Sequence, residues 1–266
     1  MVSDAGAMVL TEQQGAVRTV TLNRPAVYNA FDEATITALW HALRDAGRDD
    51  GVRTVVVTGA GRAFCAGADL RAVHAANPDK PGEFFYRVAT IYHQCVIEIR
   101  RMRKPVVARV NGPAAGGGFS LALACDLRVL AASATLKQAY TSNGLCIDGG
   151  GTFTLPRLVG MARALEIAFL DDPIPAARAL ELGLATNVVP DASLDDAVRA
   201  MTDRLVAMPT GSLARVKALI NSSFDRSMDE TLELERAGLA EAGSSAEGRE
   251  GIAAFLEKRR ADFTKP

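Results

Sequence analysis

The sequence predicts an α/β fold followed by a purely helical C-terminal region. Three observations carry that reading. Two β-branched runs, at 52–58 and 106–110, have the continuous apolar character of strands buried on both faces. Strand and helix patterns then alternate from 52 to 189, as right-handed crossover units do. From about 194 the four stretches 194–208, 212–222, 229–242 and 246–260 all read as helix, with no strand between them. The expected division is therefore a core over 1–195 and a helical region over 196–266.

At the start, Val9-Leu10, a polar Gln13-Gln14-Gly15 turn and the alternation Val17-Arg18-Thr19-Val20-Thr21-Leu22 read as a hairpin that ends at Asn23-Arg24-Pro25. Asp32 is placed to cap an amphipathic helix whose apolar stripe is Ile36, Leu39, Trp40 and Leu43. The first buried strand ends in Gly59-Ala60-Gly61, and a loop runs from 63 to 70. A helix over about 83–103 stops at Lys104-Pro105, because a residue before proline is pushed out of helical geometry. The second buried strand leads through Asn111-Gly112 into Gly116-Gly117-Gly118 and a helical apolar set over 119–124.

Composition narrows the function classes. Of 266 residues, 48% are hydrophobic and 23% charged, which suits a folded globular chain. Thirty basic side chains against thirty-one acidic ones leave a net charge of -1, so no long-range field draws in nucleic acid. Cys65, Cys95, Cys125 and Cys146 are scattered, without a paired-cysteine motif or nearby histidines; reduced thiols are expected, and no metal site. Residues 1–10 lack the basic, then apolar, pattern of a signal peptide, and the most apolar stretch, 121–136, is broken by Asp126 and Arg128. A cytoplasmic protein with no membrane span is expected.

The glycine-rich turns fail the nucleotide templates. Phe64 stands where a dinucleotide fingerprint needs its third glycine after Gly59 and Gly61, and no Lys-Ser/Thr pair follows Gly116-Gly117-Gly118. Gly118-Phe119-Ser120-Leu121-Ala122 lacks the second glycine of a nucleophile elbow, and no histidine is local to it. Glycines opening a helix instead present unpaired backbone N–H groups at the positive end of its dipole. The small-residue loop Cys65-Ala66-Gly67-Ala68-Asp69 can aim another N–H at the same point. Two such donors make an oxyanion hole for a carbonyl oxygen that gains charge, each worth roughly 3–4 kcal/mol.

These two loops resemble the crotonase, or enoyl-CoA hydratase/isomerase, superfamily. The resemblance rests on Ala63-Phe64-Cys65-Ala66-Gly67-Ala68-Asp69-Leu70, on Lys104-Pro105-Val106-Val107-Ala108 leading to Asn111-Gly112-Pro113-Ala114-Ala115-Gly116-Gly117-Gly118, and on Ala124-Cys125-Asp126. It extends from Leu22-Asn23-Arg24-Pro25 to Phe255-Leu256-Glu257-Lys258-Arg259, nearly the whole chain.

The resemblance implies a crotonase-like spiral of ββα units with C-terminal helices that assemble homotrimers, often paired into hexamers. It implies an acyl-CoA substrate, with coenzyme A carried as part of that substrate and no separate cofactor. Ala66 and Gly117 are expected to hold the thioester oxygen, with Gly67, Ala68, Asp69, Leu70 and Gly116 along the coenzyme A arm. Tyr28 also falls among the coenzyme A contacts. Where relatives commonly carry a basic residue after Arg24-Pro25, this chain has Ala26, so phosphate contacts fall to Arg24, or to Lys258 and Arg259 of a neighbouring subunit.

The two glutamates of a hydratase fall on Ser120 and Tyr140, and neither is a carboxylate. One acid does stand at an active-site position: Asp148, in Cys146-Ile147-Asp148-Gly149-Gly150-Gly151-Thr152. Isomerases resembling this pattern, among them the epoxyphenylacetyl-CoA isomerase group, use an aspartate there to move a proton, and Leu155-Pro156-Arg157-Leu158-Val159-Gly160 resembles the same group. An enoyl-CoA isomerase is the expected activity. Tyr140 is expected to wall the acyl pocket, and Asp148 has the competing role of a helix cap. His93 falls where a dehalogenase branch activates water. Three alternatives stand beside the isomerase: a hydratase working through Ser120 and bound water, dehalogenase-like acyl-CoA chemistry, and a non-catalytic acyl-CoA binder.

Overall fold

The computed structural model of the chain describes residues 7–76 and 78–264; residues 1–6, where part of the expected leaderless N-terminus falls, lie outside it. Strands β1 (Val9–Gln14) and β2 (Val17–Leu22) pair antiparallel, Gln14 opposite Val17 and Val9 opposite Leu22. The strand therefore runs through Gln14, and the turn is Gly15-Ala16. Helix α1 (Glu33–Arg48) starts at Asp32, whose carboxylate accepts the Thr35 amide at 2.8 Å. It buries Ile36, Leu39 and Leu43.

Strand β3 (Thr54–Gly59) is buried at every position, as its β-branched composition requires. It begins two residues later than the apolar run, because the Val52 amide bonds back to Asp49 and Arg53 to Ala16. A short helix α2 (Leu70–Ala76) follows within what reads in sequence as loop, with Asp69 accepting from the amides of Ala72 and Val73. The long helix α3 (Pro81–Arg101) opens on a proline, whose missing N–H costs nothing in a first turn. Then come β4 (Val106–Val110), β5 (Ala114–Ala115), α4 (Gly117–Ala124), β6 (Leu127–Ala131) and β7 (Thr135–Lys137).

The remaining core elements are α5 (Gly151–Val159), α6 (Met161–Leu170), β8 (Ile174–Pro175), α7 (Ala176–Glu181) and β9 (Asn187–Val189). Strands β1-β2-β3-β4-β6-β9 form a six-stranded sheet, parallel from β2 onward, with Val55 opposite Val106, Val107 opposite Leu127 and Val129 opposite Asn187. A small second sheet has the order β5-β7-β8. After β9 the described chain is helical: α8 (Leu194–Val206), α9 (Thr210–Ser222), α10 (Met228–Ser244) and α11 (Ala246–Leu256). No helix of the described residues is long and apolar enough to cross a membrane.

The site lies where the loop after β3, the start of α4 and the segment before α5 converge against α3. Two asparagines fix the first of these. Buried Asn29 donates from its side chain to the carbonyls of Ala60 and Ala63 at 2.9 and 2.8 Å. Asn111 donates to those of Gly61 and Ala63 at 2.9 and 3.1 Å.

Candidate active site

The backbone hydrogen bonds decide which amides of the loop are available. The Ala66 amide donates to the Tyr28 carbonyl at 3.0 Å, so it is already spent; the expectation for Ala66 as an oxygen-holding donor is corrected. The cause is local. Tyr28 adopts a left-handed φ of 54°, which turns its carbonyl toward the loop. Two residues on, Phe31 and Ala68 form a parallel bridge, in which the Phe31 amide donates to Gly67 and the Asp69 amide to Phe31. A parallel bridge uses the amides flanking one residue and leaves that residue's own N–H on the other side. Ala68 is that residue, and its amide has no protein acceptor among the described residues.

Gly117 is the first residue of α4, so its N–H has no partner within the helix. The preceding Gly116 amide is bonded to Lys137 O at 3.1 Å. The two loops touch: a Cβ on Gly67, whose φ is +84°, would stand 2.8 Å from the Gly117 nitrogen. Ala68 and Gly117 line one cavity of about 470 Å³. Ala66, Leu70 and Gly116 also line it, whereas Gly67 lies behind its wall.

Tyr140 and Asp148 line the same cavity. The His93 ring Nε2 and Asp148 Oδ1 are 2.5 Å apart, in a pair that keeps partial contact with solvent. Asp148 does not cap α5; that position belongs to Gly150, and only the Asp148 carbonyl accepts from Gly151. Its main chain is held from below. Ser120, fully buried, donates its hydroxyl to the Asp148 carbonyl at 2.6 Å, so Ser120 is a brace behind the wall and its expected contact with substrate is corrected. Gly149, with φ +63°, lies against the Tyr92 ring, where a Cβ would come within 2.3 Å. The Tyr92 hydroxyl in turn donates to the Gly117 carbonyl.

Burial raises the pKa of both tyrosines, and the Asp148 charge adds to it. Tyr140 and Tyr92 are therefore neutral hydrogen-bonding groups at physiological pH. The Tyr140 hydroxyl interacts with Ser120 and with the Asp148 backbone. Among the described lining residues Asp148 is the only carboxylate. Besides Asn143 and Cys146, the rest of the wall is apolar or aromatic and includes Phe31, Phe85, Val88, Leu145 and Ile147.

These wall residues were not singled out in the sequence, although a signal existed. Phe85, Val88 and Tyr92 recur at helical spacing, which puts them on one face of α3. His93 is one position further round, and it reaches Asp148 without lining the cavity.

Several residues expected to contact coenzyme A lie outside the cavity lining. Arg24 donates to the Ala30 carbonyl at 2.7 Å and bridges Asp32 and Asp69 at 3.2 Å each, so it ties the α1 and α2 caps together and holds no free charge for a phosphate. Asp69, largely buried in that cluster, is a cap and not a wall residue. Ala26 sits on an exposed turn. Tyr28 is stacked under Arg62, 4.4 Å from its ring centre. Lys258, with φ 54°, follows α11 outside the cavity, and neighbouring Arg259 is engaged by Glu250 and Glu257.

Known proteins resemble this chain along nearly its whole length. The enoyl-CoA hydratase/isomerase family pattern matches residues 12–266. A 1,2-epoxyphenylacetyl-CoA isomerase of Escherichia coli (strain K12) is 39% identical over 96% of this chain and 98% of its own. A probable enoyl-CoA hydratase of Rhodobacter capsulatus is 40% identical over 92% and 93%. The crystal structure of an enoyl-CoA hydratase from Polaromonas sp. JS666 superposes with a TM-score of 0.91 at 35% identity, over 96% of this chain and 98% of that one. The fold is thus the crotonase fold, and the chain belongs to the enoyl-CoA hydratase/isomerase family of acyl-CoA-processing enzymes.

Proposed function

We propose that this enzyme is an acyl-CoA isomerase that moves a proton along the acyl chain through a thioester enolate. The observation that carries this reading is the solitary carboxylate of Asp148, lining one cavity with the unspent amides of Ala68 and Gly117. The thioester oxygen sits between those two N–H groups. Charge that develops there on loss of an α- or γ-proton is met by dipoles already in place, so little reorganisation is needed. Asp148 takes the proton and returns it to a carbon further along. His93 holds the carboxylate in one orientation, and the neutral hydroxyl of Tyr140 braces the same loop without competing as a base.

Hydration by paired carboxylates has less support. Ser120 occupies the place of one of them, and its hydroxyl is bonded to the Asp148 carbonyl behind the wall. A dehalogenase-like role has less support, since His93 does not line the cavity and Tyr140 stands where that branch carries Trp.

Incubation with a 3-enoyl-CoA in heavy water is expected to shift the double bond and place deuterium on the chain. Asp148→Asn is expected to lower kcat by about 10²–10⁴, the usual worth of a positioned acid–base group. Formation of 3-hydroxyacyl-CoA as the main product, or a variant that keeps full rate, would overturn the proposal.

A further inference from the structure

A second cavity, of about 430 Å³, shares no lining residue with the first and lies between the core and α9. Its walls carry four cations, Arg100, Arg128, Arg157 and Lys217, against one carboxylate, Asp126. Lys217 accounts for that carboxylate: its ammonium donates to Asp126 Oδ2 at 2.6 Å and to the carbonyls of Ile99 and Lys104. Three guanidinium groups remain.

Arg128 is 6% exposed and has only neutral partners, donating to the carbonyls of Leu184 and Cys125, both at 2.7 Å. Arg100 donates to the Asn221 side chain. Arg157 donates to the Phe153 carbonyl, meets Asp225 at 3.5 Å, and keeps its Nε buried without a partner among the described residues. Burial lowers the pKa of Arg100, Arg128 and Lys217, and the Asp126 charge offsets part of that for each. Arg128 is thus withdrawn from water with no carboxylate bonded to it, which is costly, and the buried Arg157 Nε left without an acceptor needs a reason. Apart from Cys125, Thr154 and Asn221, the rest of the wall is apolar and includes Leu123, Leu158, Leu213, Val216, Ile220 and Phe224.

We propose that this cavity is a binding site for an amphipathic organic anion, a carboxylate on an aliphatic body, separate from the catalytic cavity. The carboxylate is met by the guanidinium groups of Arg100, Arg128 and Arg157, which present N–H forks suited to two oxygens. The chain lies along α9. The volume falls within the range of small-molecule sites, ~300–1,000 Å³. Inorganic phosphate would satisfy the charge and leave the apolar wall unused. An alcohol of equal length would do the reverse.

Equilibrium dialysis with radiolabelled octanoate tests this, with acetyl-CoA kept saturating so that the catalytic cavity is occupied. One octanoate should bind per chain with a dissociation constant below about 1 mM. Octanol and inorganic phosphate should each bind about tenfold more weakly or worse. Arg157→Gln removes the orphaned donor, and Val216→Trp fills the cavity from the half-exposed face of α9. Each should weaken binding by about tenfold while turnover at the catalytic cavity stays unchanged. The site is refuted if octanoate does not bind, if octanol or phosphate binds equally well, or if neither variant weakens binding. The ligand comparison needs no variant, so the outcome stands even where a substitution disturbs folding.

Discussion

At the scale of single residues, the four thiols divide sharply. Burial pushes Cys65, Cys95 and Cys125 up to about 12, so they remain protonated, and inert, across the physiological range. Cys146 is exposed and lines the catalytic cavity. At pH 8 a thiol reagent should therefore modify one cysteine per native chain and four in denaturant, and a bound acyl-CoA should slow the native reaction. Rapid native labelling of a second thiol would contradict the burial argument. The same shifts set an alkaline limit on stability. Each buried thiol has a folded pKa raised above its ordinary 9.0, so the unfolded chain loses its proton first. The stabilisation is full below pH 9 and is lost as pH rises toward 12, a window in which the buried tyrosines act in the same direction. Urea unfolding measured between pH 8 and 11 should show stability falling, and Cys125→Ala should flatten part of that fall.

At the scale of elements, the site is an agreement among one loop, two helix starts and one helix face. The starts of α4 and α5 bring Gly117 and the Asp148 loop together, and Tyr92 on α3 touches both. Gly149→Ala tests how closely these pieces are fitted. The new methyl group would collide with the Tyr92 ring at a positive φ, whereas Gly144→Ala, at φ +71°, adds strain with nothing within 4 Å. Both should lose about 1–3 kcal/mol of stability from backbone strain. Only Gly149→Ala should also lower kcat, by about 10², the scale expected when a catalytic group moves by ~1 Å. Equal kcat in the two variants would show that Tyr92 does not position the Asp148 loop. What the sequence disclosed follows from the same physics. The buried strands and long helices were legible because periodicity and β-branching are local, and Asp148 stood out as the one acid in its motif. Which of the Ala66 and Ala68 amides stays unbonded was not legible, because it depends on the left-handed Tyr28 and on a bridge from Phe31, more than thirty residues away. Ser120 was misplaced for a related reason. A polar residue beside a glycine loop has the same pattern whether it faces the ligand or braces the loop from behind.

At the scale of the whole molecule, the C-terminal helices leave apolar surface without a partner. Helix α10 has no buried residue, and Leu232 and Leu239 on it are exposed, as are Ile252, Phe255 and Leu256 on α11. Helix α10 packs chiefly against α9 and α11, not against the sheet. A patch of this kind on one chain marks a contact surface, since burying each large aliphatic or aromatic side chain gains ~1.5–3 kcal/mol. We propose that it is covered by other copies of the chain, in the homotrimer or paired hexamer that the family resemblance implies. A closed ring lets every copy bury the same face and leaves none open to grow into a filament. Light scattering should return three chain masses or a multiple of three. Leu239→Glu and Phe255→Glu place charges on positions that are largely exposed in the single chain, so neither should unfold it. Each should instead release single chains with native circular dichroism, because a carboxylate buried between subunits without a partner is costly. A wild-type chain that is monomeric at micromolar concentration, or variants that keep the wild-type mass, would place the contact surface elsewhere and leave the exposure of α10 and α11 to be explained by a different partner.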